Sequence, residues 1–181
     1  MDTPAEEIPV HWFVLRDLKR RNAKGPAYQV LAADGFEVFT PMVRKVIQAG
    51  GRKLRVEIPF MQDLLFVRAS RLQLDPVILR TPTLQYRFVR GAYMIPMVVP
   101  DREMDRFLQA VRASEEPKFF RPDEIRPEMY GRRIRVIGGP MDGYEGNLLS
   151  LRGARTKRLL VELPQYLVAA VQIQPDLIEL L

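Results

Sequence analysis

The chain has 181 residues, of which 47% are hydrophobic and 28% charged, and its 28 Lys and Arg against 22 Asp and Glu give a formal net charge of +6 at pH 7; this composition is typical of a folded protein and excludes a disordered one. With no cysteine and one histidine, the chain has neither disulfides nor thiolate chemistry. Because no apolar run reaches the roughly 18 residues that span a bilayer and MDTPAEEIPV lacks the features of a leader, we expect a cytoplasmic protein.

The first hundred residues alternate between strand-like and helix-like patterns. Apolar, β-branched and aromatic runs predict strands, and Pro26 and Gly35 mark the start and end of a helix between the first two of them. A Gly50-Gly51 pair between two alternating segments predicts a projecting hairpin. In chain order the predicted elements are a strand at 10–15, a helix at 26–35, strand material at 36–48, the second hairpin strand at 53–59, a strand at 63–70, a short helix at 71–79, a strand at 85–91 and a strong helix that begins at 100–101.

Positive charge is concentrated in residues 1–112, which hold 18 basic and 12 acidic residues. Two clusters of basic residues stand out. Each is either a site that attracts polyanions such as nucleic acid or an ordinary solvated surface. The first cluster is Arg16, Lys19, Arg20, Arg21 and Lys24, and the second is Arg44, Lys45, Arg52, Lys53 and Arg55.

The remaining chain has a different composition. Residues 113–128 carry three prolines and eight charged residues without a sustained apolar period, which predicts a linker, although adjacent Phe119 and Phe120 favour docking on a domain. After it come short strands separated by Gly-rich turns, with almost no helical pattern, and such a series predicts a small β-barrel. These strands are RRIRVI, YEGNLLSL, KRLLVELP and LVAAVQI.

No constellation of catalytic residues is evident in the sequence. His11 sits beside Trp12 in the first strand, where a structural role is expected. No paired ligand spacing predicts a metal, and the glycines at 138–146 are followed by Asn147 and leucines rather than by the Lys-Ser/Thr or the helix of a nucleotide-binding loop. We therefore predict a protein that is not an enzyme and needs no cofactor or metal, with Asp142-Gly143 turning a hairpin.

The stretch RRIRVIGGPMDGYEG resembles the KOW motif of NusG-type transcription factors, and the first half of the chain is similar to their N-terminal (NGN) domain. The residues that carry the second likeness are Trp12-Phe13-Val14-Leu15, Phe39-Thr40-Pro41-Met42, Leu65-Phe66-Val67, Phe88-Val89-Arg90 and Val99-Pro100. This resemblance implies an α+β fold. An NGN α/β sandwich, with a ferredoxin-like antiparallel sheet, is expected at 9–112, a linker at 113–128 and a small SH3-like KOW β-barrel at 129–181.

Within the family the chain resembles the antiterminators encoded with capsular polysaccharide operons. The residues that carry this resemblance are Pro41-Met42, DLLFVRAS and the Gly138-Gly139-Pro140 turn. The resemblance implies a monomeric elongation and antitermination factor that binds RNA polymerase and suppresses pausing or termination. An RNA-binding or ribosome-associated KOW protein is the alternative that the residues leave open.

The resemblance also implies three sites. The polymerase-binding patch, which meets the clamp helices of the largest subunit, consists of Trp12, Val14, Leu64, Phe66, Phe88 and Val98, although alternation alone also fits Trp12 and Phe66 to a core. Contacts to non-template DNA or nascent RNA fall on Lys19, Arg20, Arg21 and Lys24. The KOW partner loop, which meets Rho or a ribosomal small-subunit protein, is Pro140, Met141, Gly143 and Tyr144, with Met141 where relatives have an aromatic residue.

Overall fold

The computed structural model describes residues 8–19 and 24–181, so that the predicted nucleic-acid contacts Arg20 and Arg21 lie outside the described residues. The chain divides into two compact units, Met1–Asp101 and Arg102–Leu181. Across the described parts the fold is mixed α/β, with three α-helices and three antiparallel sheets.

The first unit is organised around its first strand, β1 (Val10–Asp17), which lies inside a five-stranded antiparallel sheet. The other strands of this sheet are β2 (Glu37–Phe39), β5 (Leu65–Ser70), β6 (Leu84–Tyr86) and β7 (Val98–Val99), in the order β2-β5-β1-β6 with β7 also paired to β1. Because side chains alternate along a strand, Phe13 and Leu15 of β1 share one face. That face packs in a core with α1 (Ala27–Ala33) and α2 (Arg71–Arg80).

Both helices of this unit begin and end where the sequence predicts. Pro26 precedes α1, and Gly35, at φ +88°, follows it. Ser70 caps α2: its Oγ accepts from the Gln73 N–H at 3.3 Å, while its own N–H donates to Gln73 Oε1 at 3.0 Å. This reciprocal capping box satisfies two backbone donors that the helix leaves free.

A separate two-stranded sheet, β3 (Met42–Ala49) and β4 (Arg52–Pro59), forms the predicted hairpin. Its turn is Gly50-Gly51, with φ of +57° and +76°. Two successive positive φ angles match the right-handed twist of the strands, and glycine adopts them without strain. We call this element the basic ribbon.

The strand predicted at 85–91 is shorter than expected, because β6 ends at Tyr86. Beyond it Phe88 forms only an isolated bridge with Pro96. Hydrogen bonds flank this bridge on both sides, from the Val89 N–H to the Ile95 carbonyl at 2.8 Å and from the Met97 N–H to the Arg87 carbonyl at 2.7 Å.

The second unit combines one helix with a six-stranded antiparallel sheet. The helix α3 (Asp101–Arg112) begins at the predicted Pro100-Asp101 signal. The strands are β8 (Lys118–Phe120), β9 (Tyr130–Val136), β10 (Glu145–Leu149), β11 (Arg158–Leu163), β12 (Leu167–Gln172) and β13 (Ile178–Leu180), in the order β13-β9-β10-β11-β12-β8. These pairings join the strands in an open series from β13 to β8, so a closed KOW barrel remains a prediction.

Part of the segment that sequence composition predicts as a linker is folded onto this sheet. Phe119 lies opposite Ala169 and is buried, and Phe120 lies opposite Val168 and packs on the apolar cluster that includes it. Strand β8 thus explains the two adjacent aromatics. The predicted family domains, 9–112 and 129–181, stay predictions beside the observed division at Asp101.

Candidate functional site

The structure divides the predicted polymerase-binding patch between the two faces of the first sheet. Trp12, Val14 and Phe66 share one face, whereas Val98, which lies opposite Phe13, is on the other face, where the Phe88 ring lies 6.2 Å from the Tyr86 ring. Val14 lies opposite Phe66 in the sheet. The Val14 N–H donates to the Met97 carbonyl at 3.0 Å, and its carbonyl accepts from the Arg87 N–H at 2.9 Å. Backbone pairing with Arg87 and Met97 therefore brings their chain neighbours, Phe88 and Val98, to β1.

Only two of those six side chains are exposed. Phe88 is 40% exposed and Val98 42%, whereas the other four are buried. Phe88 and Val98 are therefore the two residues of the predicted patch that are accessible in this structure. The buried members are Trp12, Val14, Leu64 and Phe66.

A second set of exposed apolar side chains lies on the loop between Phe88 and Val98. Tyr93 is 94% exposed, and Met94 and Ile95 are also exposed. The loop is held at its base by the Val89 N–H, which donates to the Ile95 carbonyl at 2.8 Å. This surface was not predicted from the sequence, although an apolar run, Tyr93-Met94-Ile95, directly follows Gly91 and Ala92 there. Clustered exposed apolar residues of this kind mark interaction sites.

Lys19, one of the predicted nucleic-acid contacts, is bonded to an acidic residue that was not predicted from the sequence. Asp17, at the end of β1, is buried. One carboxylate oxygen accepts from the Lys19 N–H at 3.0 Å and the other from the Ala27 N–H at 2.8 Å, which ties both ends of the connection to α1. The Lys19 ammonium donates to the Gly25 carbonyl at 2.6 Å, and Lys24 is exposed. Asp17 thus joins Lys19 to Ala27 at the start of α1.

The predicted KOW partner loop contacts α3 inside the second unit. Gln109 Nε2 donates to the Pro140 carbonyl at 2.7 Å, and the Tyr144 hydroxyl donates to the Arg106 carbonyl at 2.9 Å. The Arg106 guanidinium lies 4.8 Å from the centre of the Tyr144 ring, within range of a cation–π interaction. Met141 is buried as well, so that this loop is already engaged within its own chain.

The local geometry of the loop agrees with the expected turn. Asp142 has φ −53° and ψ 133°, and Gly143 follows at φ +79°, the pattern of a type II turn. Asp142 also accepts from the Gly138 N–H at 2.6 Å. Burial raises the pKa of the Tyr144 hydroxyl, and the nearby Arg106 charge opposes that shift. The hydroxyl is therefore a neutral donor toward α3 at physiological pH.

These surfaces are suited to binding macromolecules. Over residues 8–19 and 24–181, no cluster of three or more acidic or histidine side chains is placed to hold a metal ion. In the same residues no helix is both long and apolar enough to cross a membrane. The exposed apolar residues Phe88 and Val98 and the basic ribbon are surface features that are typical of modules that bind other macromolecules.

Comparison with known families identifies the class more closely. Residues 10–108 match the family described as "Transcription termination factor nusG". Because the match covers more than half of the chain, the chain belongs to the NusG family, whose members are transcription factors and not enzymes. Factors of this family act in transcription elongation and termination and bind RNA polymerase.

Among solved structures the chain is similar to NusG of Thermotoga maritima, from work on domain interaction in that protein. The two chains share 16% identity with a TM-score of 0.49, over 96% of this chain and 98% of that chain. No curated protein matches the sequence.

Proposed function

We propose that this chain binds RNA polymerase through the exposed apolar edge formed by Phe88 and Val98, and that it suppresses pausing or termination. The observation that carries the proposal is the exposure of both side chains on a segment that hydrogen-bonds to the core strand of a NusG-family domain. The partner surface is the tip of the clamp helices on the largest polymerase subunit.

The edge has the properties of a protein-binding hot spot. Aromatic and aliphatic side chains supply most of the binding energy of an interface, and charged residues at its rim aid orientation. Phe88 is flanked by Arg87, whose guanidinium donates to the Asp63 carboxylate at 3.1 Å, and by exposed Arg90. This arrangement places an apolar centre beside a charged rim.

The four buried patch residues, Trp12, Val14, Leu64 and Phe66, do not form part of this exposed edge. Because Trp12 and Phe66 are almost wholly buried, a charged substitution at either position destabilises the first unit. Loss of function in such variants therefore carries no information about a contact. Variants at Phe88 and Val98 do carry it, since both side chains are exposed.

The test is a single-round transcription assay with the chain's own polymerase on a template with one pause and one terminator. Phe88→Asp is expected to abolish the antipausing and readthrough activity of the wild-type protein. Leu79→Asp, at an 84% exposed position of α2, is the matched control and is expected to keep that activity. Full activity of folded Phe88→Asp would contradict the proposal.

The finer assignments rest on the same family membership. We propose that Lys19 and Lys24, with Arg20 and Arg21, contact non-template DNA or nascent RNA, because phosphate contacts supply affinity without sequence information. The operon is proposed to be one for polysaccharide biosynthesis. Finding the gene outside such operons would contradict this assignment.

A second binding event is proposed for the KOW partner loop, with Rho or a ribosomal small-subunit protein as the partner. Met141 and Tyr144 are buried here, and Pro140 and Tyr144 are bonded to α3. A partner that takes these residues must therefore displace α3 from them. Weakening that contact is expected to strengthen partner binding.

A further inference from the structure

The basic ribbon has one charged face and one apolar face. Directly opposed residues of an antiparallel pair share a face, and the face alternates along each strand. The charged face therefore holds the pairs Arg44 with Glu57, Val46 with Arg55, and Gln48 with Lys53. The other face, which we call the apolar ribbon face, holds Val43 with Ile58, Lys45 with Val56, and Ile47 with Leu54, and the tip pair Ala49 with Arg52.

The apolar ribbon face forms one wall of a groove in the first unit. The groove has a volume of about 540 Å³, and Lys45, Ile47, Val56 and Ile58 line it from this face. Ile47 is 41% exposed, and Val56 and Ile58 are half-buried. Because Ile58 pairs with Val43, four residues from Ile47, this wall is about 14 Å long at roughly 3.4 Å per residue. An extended ligand can therefore lie along it.

The other walls of the groove are also mainly apolar. Leu64 and Leu65, which are both buried, line it at the start of β5, and Pro26 and Tyr28 line it at the start of α1. Thr40 lines it as well, but its Oγ1 already donates to the Leu64 carbonyl at 3.0 Å. Small-molecule sites have this character, with volumes of about 300–1,000 Å³, a mostly apolar lining and a few polar groups.

The charged residues of the groove leave positive charge for a ligand. Its two acids are already engaged, because the Asp17 carboxylate accepts from two backbone N–H groups and Glu57 pairs with Arg44 at 3.2 Å. Lys45 is exposed and forms no ion pair with any residue that the structure describes. The Lys19 ammonium donates to one carbonyl and has two further donors. Both lysines line the groove, so it suits a ligand with an anionic group.

We propose that this groove binds a small amphiphilic carboxylate, a medium-chain fatty acid, with its alkyl chain along the apolar ribbon face and its head group on the ammonium groups of Lys45 and Lys19. The aliphatic lining and the length of the wall suit an alkyl chain. Burial of that chain supplies most of the affinity, about fourfold for each methylene removed from water. An ion pair with an exposed lysine adds about two- to fivefold.

The experiment is isothermal titration calorimetry of the full-length protein, without polymerase. The ligands are hexanoate, octanoate, decanoate and neutral octanol, each below its aggregation concentration. We expect one binding site and an affinity that rises about fifteenfold for every two methylenes added to the carboxylate. Octanol, which lacks the charge, is expected to bind about two- to fivefold more weakly than octanoate.

Two lysines on opposite faces of the ribbon test the head-group contact. Lys45→Gln is expected to weaken octanoate binding about two- to fivefold and to leave octanol binding unchanged, because only the carboxylate uses the charge. Lys53→Gln removes the same charge from the charged face and is the matched control. It is expected to change the affinity for neither ligand.

Two neighbouring residues test the apolar wall. Ile47→Asp places a carboxylate in the groove and is expected to weaken decanoate binding at least about tenfold. Val46→Asp is the matched control, since Val46 lies on the charged face and is 61% exposed. It is expected to bind decanoate as the wild type does. Both positions are exposed, so both variants are expected to fold.

Equal losses in the two members of either pair, an affinity that does not rise with chain length, or no binding of decanoate overturns the proposal. Light scattering tests a different occupant of the groove. A wild-type dimer that Ile47→Asp disrupts would assign the apolar ribbon face to a second copy of the chain and overturn the proposal too. Neither Phe88 nor Val98 lines the groove, so these outcomes are independent of the proposed polymerase contact.

Discussion

The hydrogen bond between Tyr144 and α3 provides a direct test of how tightly the partner loop is held. Tyr144→Phe removes the hydroxyl that donates to the Arg106 carbonyl at 2.9 Å and lies 3.1 Å from Gln109 Oε1. The ring stays, and with it the burial and the cation–π contact with Arg106. The substitution therefore isolates one side-chain hydrogen bond.

The expected loss follows from the burial of this group. A typical intramolecular hydrogen bond contributes about 0.5–1.5 kcal/mol net to the free energy of unfolding. Removing its donor costs more when the acceptor is buried and is left without a partner. The Arg106 carbonyl belongs to a helix, where the N–H of the next turn also bonds to it. The Gln109 amide still donates to the Pro140 carbonyl. We therefore expect a loss of about 1 kcal/mol in the free energy of unfolding.

Urea unfolding followed by circular dichroism measures this change, with Tyr130→Phe as the matched control. The Tyr130 hydroxyl bonds to Glu162 at 3.0 Å at an exposed site, so its loss is expected to cost less than about 0.5 kcal/mol. Equal losses in the two variants would refute the argument that α3 holds this loop through Tyr144.

Three further predictions concern stability. Gly131→Ala is expected to lower the free energy of unfolding by about 1–3 kcal/mol in a urea titration, because a Cβ there would lie 2.9 Å from the Leu148 carbonyl oxygen; an unchanged midpoint would contradict this. Ser70→Ala removes the cap of α2 and is expected to cost about 1 kcal/mol, with Gln73→Ala causing a smaller loss; a neutral Ser70→Ala would show that the capping box is not needed. Burial raises the pKa of the Tyr144 hydroxyl in the folded state. The stabilisation from this hydroxyl is therefore complete below the ordinary tyrosine pKa near 10 and is lost as the pH rises above it. The difference in unfolding free energy between wild type and Tyr144→Phe should shrink above about pH 10, and a difference that grows there would contradict the predicted sign.

Local patterns predicted much of the fold because the forces involved act within a few residues. Positive φ at Gly50 and Gly51 requires glycine, so the ribbon turn was visible in the sequence. The start of α3 at Asp101 followed from proline and an acidic residue ahead of an amphipathic run. Such local signals predict secondary-structure elements and turns without information about residues far away in the sequence.

Features that depend on distant residues were not predictable in the same way. The role of Asp17 depends on Ala27, ten residues later, and the burial of Phe119 depends on β12, about fifty residues later. Alternation placed Trp12 and Phe66 on one face but left open whether that face is core or surface. The structure shows both residues buried.

The central claim is that the exposed edge at Phe88 and Val98 binds RNA polymerase. Its most direct test is an equilibrium titration of the labelled chain with its own core polymerase, comparing wild type, Phe88→Asp and Leu79→Asp. We expect saturable binding by the wild type and by Leu79→Asp, and at least about tenfold weaker binding by Phe88→Asp, as for a hot-spot residue. Equal affinity of all three folded proteins, or no binding by the wild type, would contradict the claim.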